Sequence, residues 1–307
     1  MPNPTRMFTS GVSNLLRALL LRTPVGGRAW LARQLMRDRY DPATRAMADF
    51  CQQALHAWHN RQFSVEQNGE SALLARLRPF RPTTLIDVGA NIGDWSVAAC
   101  QALPDATVHA FEISEQTARD LVRCIAPYPD RVVINTVGLG EADGEVAFYM
   151  TPENNTAAST VRAALRVAVE QQGLSEVREI RARIITGDAY LRQTGIERVD
   201  VLKIDVEGAE FSVLRGFAEA FERRAIDLVQ FEYGAINLST RDFLADFYHF
   251  FEERGFAIGK LYPEGVAFKT YEIGDEDFIG PNYIACRVDR PDIIAALRCP
   301  VLRVAGR

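Results

Sequence analysis

The sequence predicts an α/β fold: a doubly wound, mostly parallel, seven-stranded sheet of Rossmann-like type behind a helical N-terminal extension. Three observations predict it. From Thr83 onward, short apolar, β-branched runs alternate with helical stretches. The first run, "TTLIDVGAN", passes straight into a glycine turn. A later run, "VDVLKIDVEG", ends in two acids and a glycine just before another helix. Strands alternating with helices form parallel sheets covered on both faces, because each helix carries the chain back over the sheet.

The elements follow in order. Residues 1–80 read as helical, with apolar positions such as Leu15, Leu16, Leu19 and Leu20, then Met47, Phe50, Cys51 and Ala54, at helical spacing. "RPFRP", Arg78 to Pro82, is a break. The α/β domain is placed at 81–290 and a C-terminal tail at 291–307. Within the domain, "TTLIDVGAN" is a strand and turn, "IGDWSVAACQAL" a helix, "ATVHAFEIS" a strand and "EQTARDLVRCIA" a helix. "RVVINTVGLG" reads as the third strand and "GEVAFYM" as a side hairpin strand. Residues 151–181 are polar, with a helical stretch over 161–171, and read as an insertion and candidate substrate lid, where "NNTAAST" offers hydroxyls and amides. Then come the strand "EIRARII", the acidic-tipped strand, "IDLVQFEYG", the helix "TRDFLADFYHFFEERG", "FAIGKLYP" and a late strand "NYIACRV".

Charge and cysteine content narrow the function. The net charge is −5, yet residues 1–40 carry seven Arg against one Asp, so the remainder sums to −11. An acidic body argues against nucleic acid as a partner, since phosphate neutralisation needs a basic face. The basic start suits a solvated helix or peripheral contact with an anionic membrane. "LLRALLL" is too short to span a bilayer. Five scattered cysteines with no C-x-x-C pair fit reduced thiols and a cytoplasmic protein. The pair His56 and His59 in "HAWH" lacks a third ligand for zinc; His109 reads as core, and His249 lies on a helix whose aromatic residues read as core.

The first turn, "LIDVGANIGDWS", carries Asp87, Gly89, Asn91, Gly93 and Asp94, and Glu112 ends the next strand. An acid there accepts both hydroxyls of a ribose, or else merely neighbours the next helix start. The turn lacks the second glycine of a dinucleotide site, and its carboxylates oppose a pyrophosphate. They suit a sulfonium and an ammonium, as in S-adenosylmethionine. Further on, Asp205 and Glu207 end one strand and Glu232 the next; if the strands are neighbours, the three acids converge. They then need a cation, a shared proton or a ligand. Alternatively, Glu207 and Glu210 only favour the helix start, while Lys203 bridges Glu232.

"LIDVGANIGDWS", "FEIS", "VGLGEADGEVAFY" and "VLKIDVEGAEFSVLRG" together resemble the FkbM family of S-adenosylmethionine-dependent methyltransferases, from about Thr83 to Arg287. The resemblance implies O-methylation of hydroxyls on a small-molecule or glycan acceptor such as a polyketide, glycolipid or polysaccharide. It implies a cofactor site of Asp87, Gly89, Asn91, Gly93, Glu112, Ile113 and Asp205. In "TGDAYL" the family more often has Leu where this chain has Gly187. Methyl transfer to an alcohol needs alignment and proton removal, so Asp205 is the first candidate base, with Glu207 and Glu232 as helpers. The same three all-oxygen ligands suit Mg²⁺ or Ca²⁺ if a metal binds. The alternatives are a nicotinamide-dependent oxidoreductase and a non-catalytic binding protein on the same fold.

Overall fold

The computed structural model describes residues 21–151, 154–159 and 177–300. The chain forms two compact units, Met1–Trp58 and His59–Arg307. Described helices of the first are α1 (Val25–Leu35) and α2 (Pro42–Trp58); neither buries a residue. In the second, the helices are α3 (Glu70–Leu77), α4 (Asp94–Ala102), α5 (Glu115–Cys124), α6 (Gly187–Thr194), α7 (Glu210–Arg215), α8 (Ala218–Glu222), α9 (Asn237–Thr240), α10 (Leu244–Glu252) and α11 (Pro291–Leu297). Among the described residues, no helix is long and apolar enough to cross a membrane.

The strands are β1 (Thr84–Val88), β2 (Thr107–Phe111), β3 (Val132–Asn135), β4 (Gly138–Leu139), β5 (Gly144–Thr151), β6 (Asn154–Ser159), β7 (Arg178–Ile185), β8 (Val199–Ile204), β9 (Ile226–Glu232), β10 (Phe256–Tyr262), β11 (Gly265–Phe268) and β12 (Asn282–Arg287). Eight of them form one sheet in the order β11-β10-β12-β9-β8-β1-β2-β3. The pairs from β3 through β9 are parallel, and β12 and β11 run antiparallel to their neighbours. The register Leu85↔Val201↔Leu228 sends one row of side chains to one face, and Ile86↔Leu202↔Val229 sends the next to the other. Each row joins a separate buried cluster, so both faces are covered. Phe231 stacks on Phe247 of α10 with ring centroids 4.7 Å apart, which places that aromatic helix in the core, while His249 stays exposed.

The doubly wound sheet agrees with the sequence, with three differences. There are eight strands, not seven, because "GVAF" doubles back on β10 as a hairpin too short to stand out in a periodicity pattern. "RVVINTVGLG" is two strands: β3 stays in the main sheet, while β4 pairs with β7 in a second sheet of order β4-β7-β5-β6. The α/β unit also extends past both expected boundaries. Leu73, Leu74 and Leu77 of α3, and Ile293 and Leu297 of α11, are buried in the same cluster as Leu85 and Val201. The break at "RPFRP" opens with a short 3-10 turn, Arg78–Phe80, and lies inside the unit. The helical stretch expected over 161–171, and most of the candidate lid, lie outside the described residues.

Candidate active site

Parallel strands all end on one edge, and loops leaving that edge form the ligand-binding crevice of open α/β sheets. Here that edge bears a cavity of about 550 Å³ lined by Gly89, Asn91, Glu112, Ile113, Asp205, Glu207 and Glu232, among others. The volume lies within the usual range for small-molecule sites.

The glycine turn and the acidic strand tip are built against each other. Gly89 sits at φ +79°, and a Cβ there would lie 1.8 Å from the Asp205 carbonyl oxygen. Asp205 N–H in turn donates to Val88 O at 3.0 Å. Gly89 therefore lets the end of β8 approach the turn. Glu112 is held by two backbone bonds: Oε2 accepts from Asn91 N–H at 2.9 Å and Oε1 from Ser114 N–H at 2.8 Å. Each oxygen retains acceptor capacity. Burial raises the Glu112 pKa, and the two backbone bonds oppose that rise.

Two expected cofactor residues stand behind the cavity instead. Asp87 is fully buried, accepts from Ser96 Oγ at 2.7 Å and lies 3.2 Å from Lys203 Nζ. Its charge is spent on that lysine, so it does not face a ligand. Gly93, at φ +102°, makes room for Leu121, whose Cδ1 would lie 2.7 Å from a Cβ. Neither residue lines the cavity. Spacing alone could not separate the ligand side of the turn from its packing side.

The carboxylates of Asp205, Glu207 and Glu232 do converge. One oxygen from each lies within 4.8 Å of the others. The cause is the parallel pairing of β8 and β9, with Ile204 opposite Phe231. Lys203 bridges Asp205 and Asp87, at 3.2 Å each, rather than Glu232. Burial alone would lower the Lys203 pKa; the carboxylates of Asp205, Asp87 and Glu70 outweigh it and keep the lysine charged. Burial, then the charges of Asp205 and Glu210, push Glu207 up to about 8. Burial pushes Glu210 up to about 7, with Asp205 adding to it. Glu232 rises well above the ordinary carboxylate range, first by burial and then through Asp205, Glu207 and Glu210. The cluster thus sets Asp205 beside the Lys203 ammonium, with Glu207, Glu210 and Glu232 around it all pushed upward by burial. Glu207 adopts φ +53°, a left-handed conformation that is costly for a non-glycine residue.

Sequence reasoning missed the contribution of α3 and the segment before it. Glu70 is buried in the cavity wall, accepts from Asn68 Nδ2 at 2.6 Å and from Gln230 Nε2, and acts electrostatically on Lys203. An acid opening an amphipathic helix reads as an ordinary first-turn residue, so no sequence signal singles it out. His109, read as core, is half-buried, with Nδ1 2.8 Å from Tyr190 Oη. The helix that carries His56 ends at Trp58, so His59 leaves it, and His59 Nδ1 lies 2.7 Å from Asp277.

Residues 87–258 match the Methyltransferase FkbM domain. The chain is 32% identical over 162 residues to the AMB antimetabolite synthetase AmbE of Pseudomonas aeruginosa, covering 44% of this chain and 8% of that protein. It is 27% identical over 177 residues to the hexuronic acid methyltransferase AglP of Haloferax volcanii, covering 58% of this chain and 66% of AglP. The chain thus spans less than two thirds of the length of either relative. A putative O-methyltransferase structure from Klebsiella pneumoniae superposes with a TM-score of 0.41 at 11% identity, covering 71% of this chain and 78% of that one. With more than half of its length inside the matched domain, and with the strand-tip cleft just described, this chain belongs to the FkbM methyltransferase family.

Proposed function

We propose that the protein is an S-adenosylmethionine-dependent O-methyltransferase acting on a hydroxyl of a sugar, in a glycolipid, polysaccharide or related metabolite. The observation that carries this reading is the joining of Glu112 and the Asp205–Glu207–Glu232 cluster in one cavity at the strand ends. The similarity to a hexuronic acid methyltransferase supports the sugar class. S-adenosylmethionine supplies an electrophilic methyl group on a sulfonium. Glu112 suits its ribose, because both oxygens are oriented by backbone bonds and keep acceptor capacity. Asn91 and Gly89 form the turn beside it, and Ile113 offers an apolar wall.

Asp205 takes the proton from the acceptor hydroxyl in this reading. It lies 3.2 Å from the Lys203 ammonium, and Glu207 and Glu232, both pushed upward by burial, share one cluster with it. Such a shared base avoids leaving three carboxylates ionised side by side. A divalent ion would use the same three oxygens and share Asp205 with the Lys203 ammonium. The basic N-terminal residues suit contact with an anionic membrane carrying a lipid-linked acceptor.

Calorimetry with S-adenosylhomocysteine tests the donor site, and a glycan panel tests transfer. Donor-product binding is expected and nicotinamide dinucleotide binding is not; the reverse result would overturn the proposal. Asp205→Asn should lower turnover about 10²–10⁴-fold, as loss of a general base does. Donor affinity should change far less. Activity lost to a chelator and restored by Mg²⁺ assigns the cluster to a metal; indifference to chelation assigns it to direct proton transfer.

A further inference from the structure

We infer that the β10 side of the cavity holds a subsite for an anionic group on the acceptor, a carboxylate or a phosphate, with Arg61 as its cation and Phe63 as the platform for the sugar ring. The inference rests on the methyltransferase reading above and names the acceptor's chemistry.

Arg61 and Phe63 line the cavity, yet they precede the matched domain at 87–258. Their segment is pinned at the end of β10: Asn60 Nδ2 donates to Leu261 O at 3.0 Å and to Asn68 O at 2.7 Å. Gly69 approaches so closely that a Cβ would lie 2.5 Å from Tyr262 O. Glu112 stands at the tip of β2, and the order β10-β12-β9-β8-β1-β2 separates the two strands by five spacings. At about 4.8 Å each, the strands lie roughly 24 Å apart across the sheet. Asp205, just past the end of β8, and Glu232, at the end of β9, come between. A donor at Glu112 leaves the Arg61 side for the acceptor, with the proposed base in the middle.

The charged residues lining the cavity are Arg61, Glu70, Asp94, Glu112, Lys203, Asp205, Glu207 and Glu232. Lys203 is buried and spent on Asp87 and Asp205. Arg61 is exposed and pairs with no carboxylate among the described residues; its Cζ lies 5.8 Å from the Phe63 ring centroid. With Lys203 spent, Arg61 is, among the described residues, the one cation of the cavity lining open to a ligand, and every other charged residue there is an acid, so Arg61 sets both the binding and the orientation of an anionic group. Its planar fork matches carboxylate and phosphate oxygens two at a time. Phe63 is 64% exposed at the cavity lining, and an exposed aromatic ring beside a guanidinium suits the apolar face of a pyranose that carries an anionic group.

Ligand-observed NMR on the full-length protein loaded with S-adenosylhomocysteine tests this, with p-nitrophenyl β-D-glucuronide, p-nitrophenyl β-D-glucoside and glucose 1-phosphate as probes. At least one acidic probe should bind more tightly than the neutral glucoside, and whichever acid wins identifies carboxylate or phosphate. Arg61→Ala should weaken that probe by about tenfold, the scale of one charge-assisted hydrogen bond. It should leave glucoside and S-adenosylhomocysteine affinity unchanged, and Arg61→Lys should restore part of the loss. Equal binding of neutral and acidic probes, no binding of either acid, or an Arg61→Ala variant that keeps the preference would each overturn the subsite. Repeating the titrations without S-adenosylhomocysteine separates the two readings. Failure of the donor product to bind removes the methyltransferase assignment, whereas failure of the acidic probes alone removes only the subsite.

Discussion

Gly187 shows how a single residue can differ from a family pattern without serving the site. The family resemblance favours Leu at this position, and here the first residue of α6 is glycine. A Cβ on Gly187 would lie 2.4 Å from two atoms of the Phe217 ring. Phe217 is fully buried, so the ring occupies the space a larger residue would fill. Gly187→Leu should therefore overpack the site and destabilise the protein by about 1–3 kcal/mol. Urea unfolding would measure it as a lower midpoint. Phe217→Ala in the same chain should recover part of the loss, because the two side chains compete for one volume. If the single variant is as stable as the natural chain, the exchange of volumes is not the explanation.

At the scale of elements, the loop between β11 and β12 forms the cavity wall through Phe278, Ile279, Gly280 and Pro281. Glu276 ties that loop to the rest of the unit. Its carboxylate accepts from Tyr233 Oη at 2.5 Å, Tyr271 Oη at 3.0 Å, Leu244 N–H at 3.1 Å and Ala245 N–H at 2.8 Å. Two of these donors open α10, where a negative charge also complements the helix dipole. Beside it, Asp277 meets His59 and Lys260. Glu276→Ala leaves several partly buried donors without their acceptor and should cost about 2 kcal/mol. The wall it frees lies away from the Glu112 turn. Initial-rate kinetics should accordingly show a raised acceptor KM with donor affinity nearly unchanged. A variant that loses donor binding while its acceptor KM stays fixed would contradict this division of the cavity.

For the whole molecule, the acid cluster links stability to pH. Glu207 at about 8 and Glu210 at about 7 are both raised from an ordinary value of 4.5. Below about 4.5 both the folded and unfolded states hold these protons. Between there and about 8 the unfolded chain releases them while the folded protein retains them, so the unfolded state gains. The ligand-free protein should lose stability as pH rises through this window, then level off. Glu210→Gln should flatten part of that decline, because an amide has no proton to release. Thermal unfolding at constant ionic strength would measure both slopes. A stability that climbs from pH 5 to 8, and is unaltered by Glu210→Gln, would show that these acids are ionised in the folded state. Ionised acids also favour a cation, so the affinity for S-adenosylmethionine relative to its uncharged-sulfur product should grow as pH rises through 7 to 8.

The sequence by itself determined the doubly wound sheet, because the signals involved are local: apolar runs that fill buried strands, helices between them, and a glycine turn after the first. It also determined that Asp205, Glu207 and Glu232 stand at strand ends, since each acid directly follows or ends a buried run. The tertiary structure decided which of the candidate residues face a ligand. Asp87 and Gly93 share a turn with Gly89 and Asn91, yet Lys203 and Leu121, distant in sequence, turn the first pair inward. The upward push on the pKa values of Glu207 and Glu232 was likewise not legible, because it depends on burial and on charges brought in by other parts of the chain. The same holds for Glu70, Arg61 and Phe63, which reach the cavity only because α3 and its preceding segment pack against the sheet and the end of β10. Periodicity reports how a chain pairs with itself nearby; the composition of a cleft depends on contacts between residues far apart in the chain, and those the fold alone supplies.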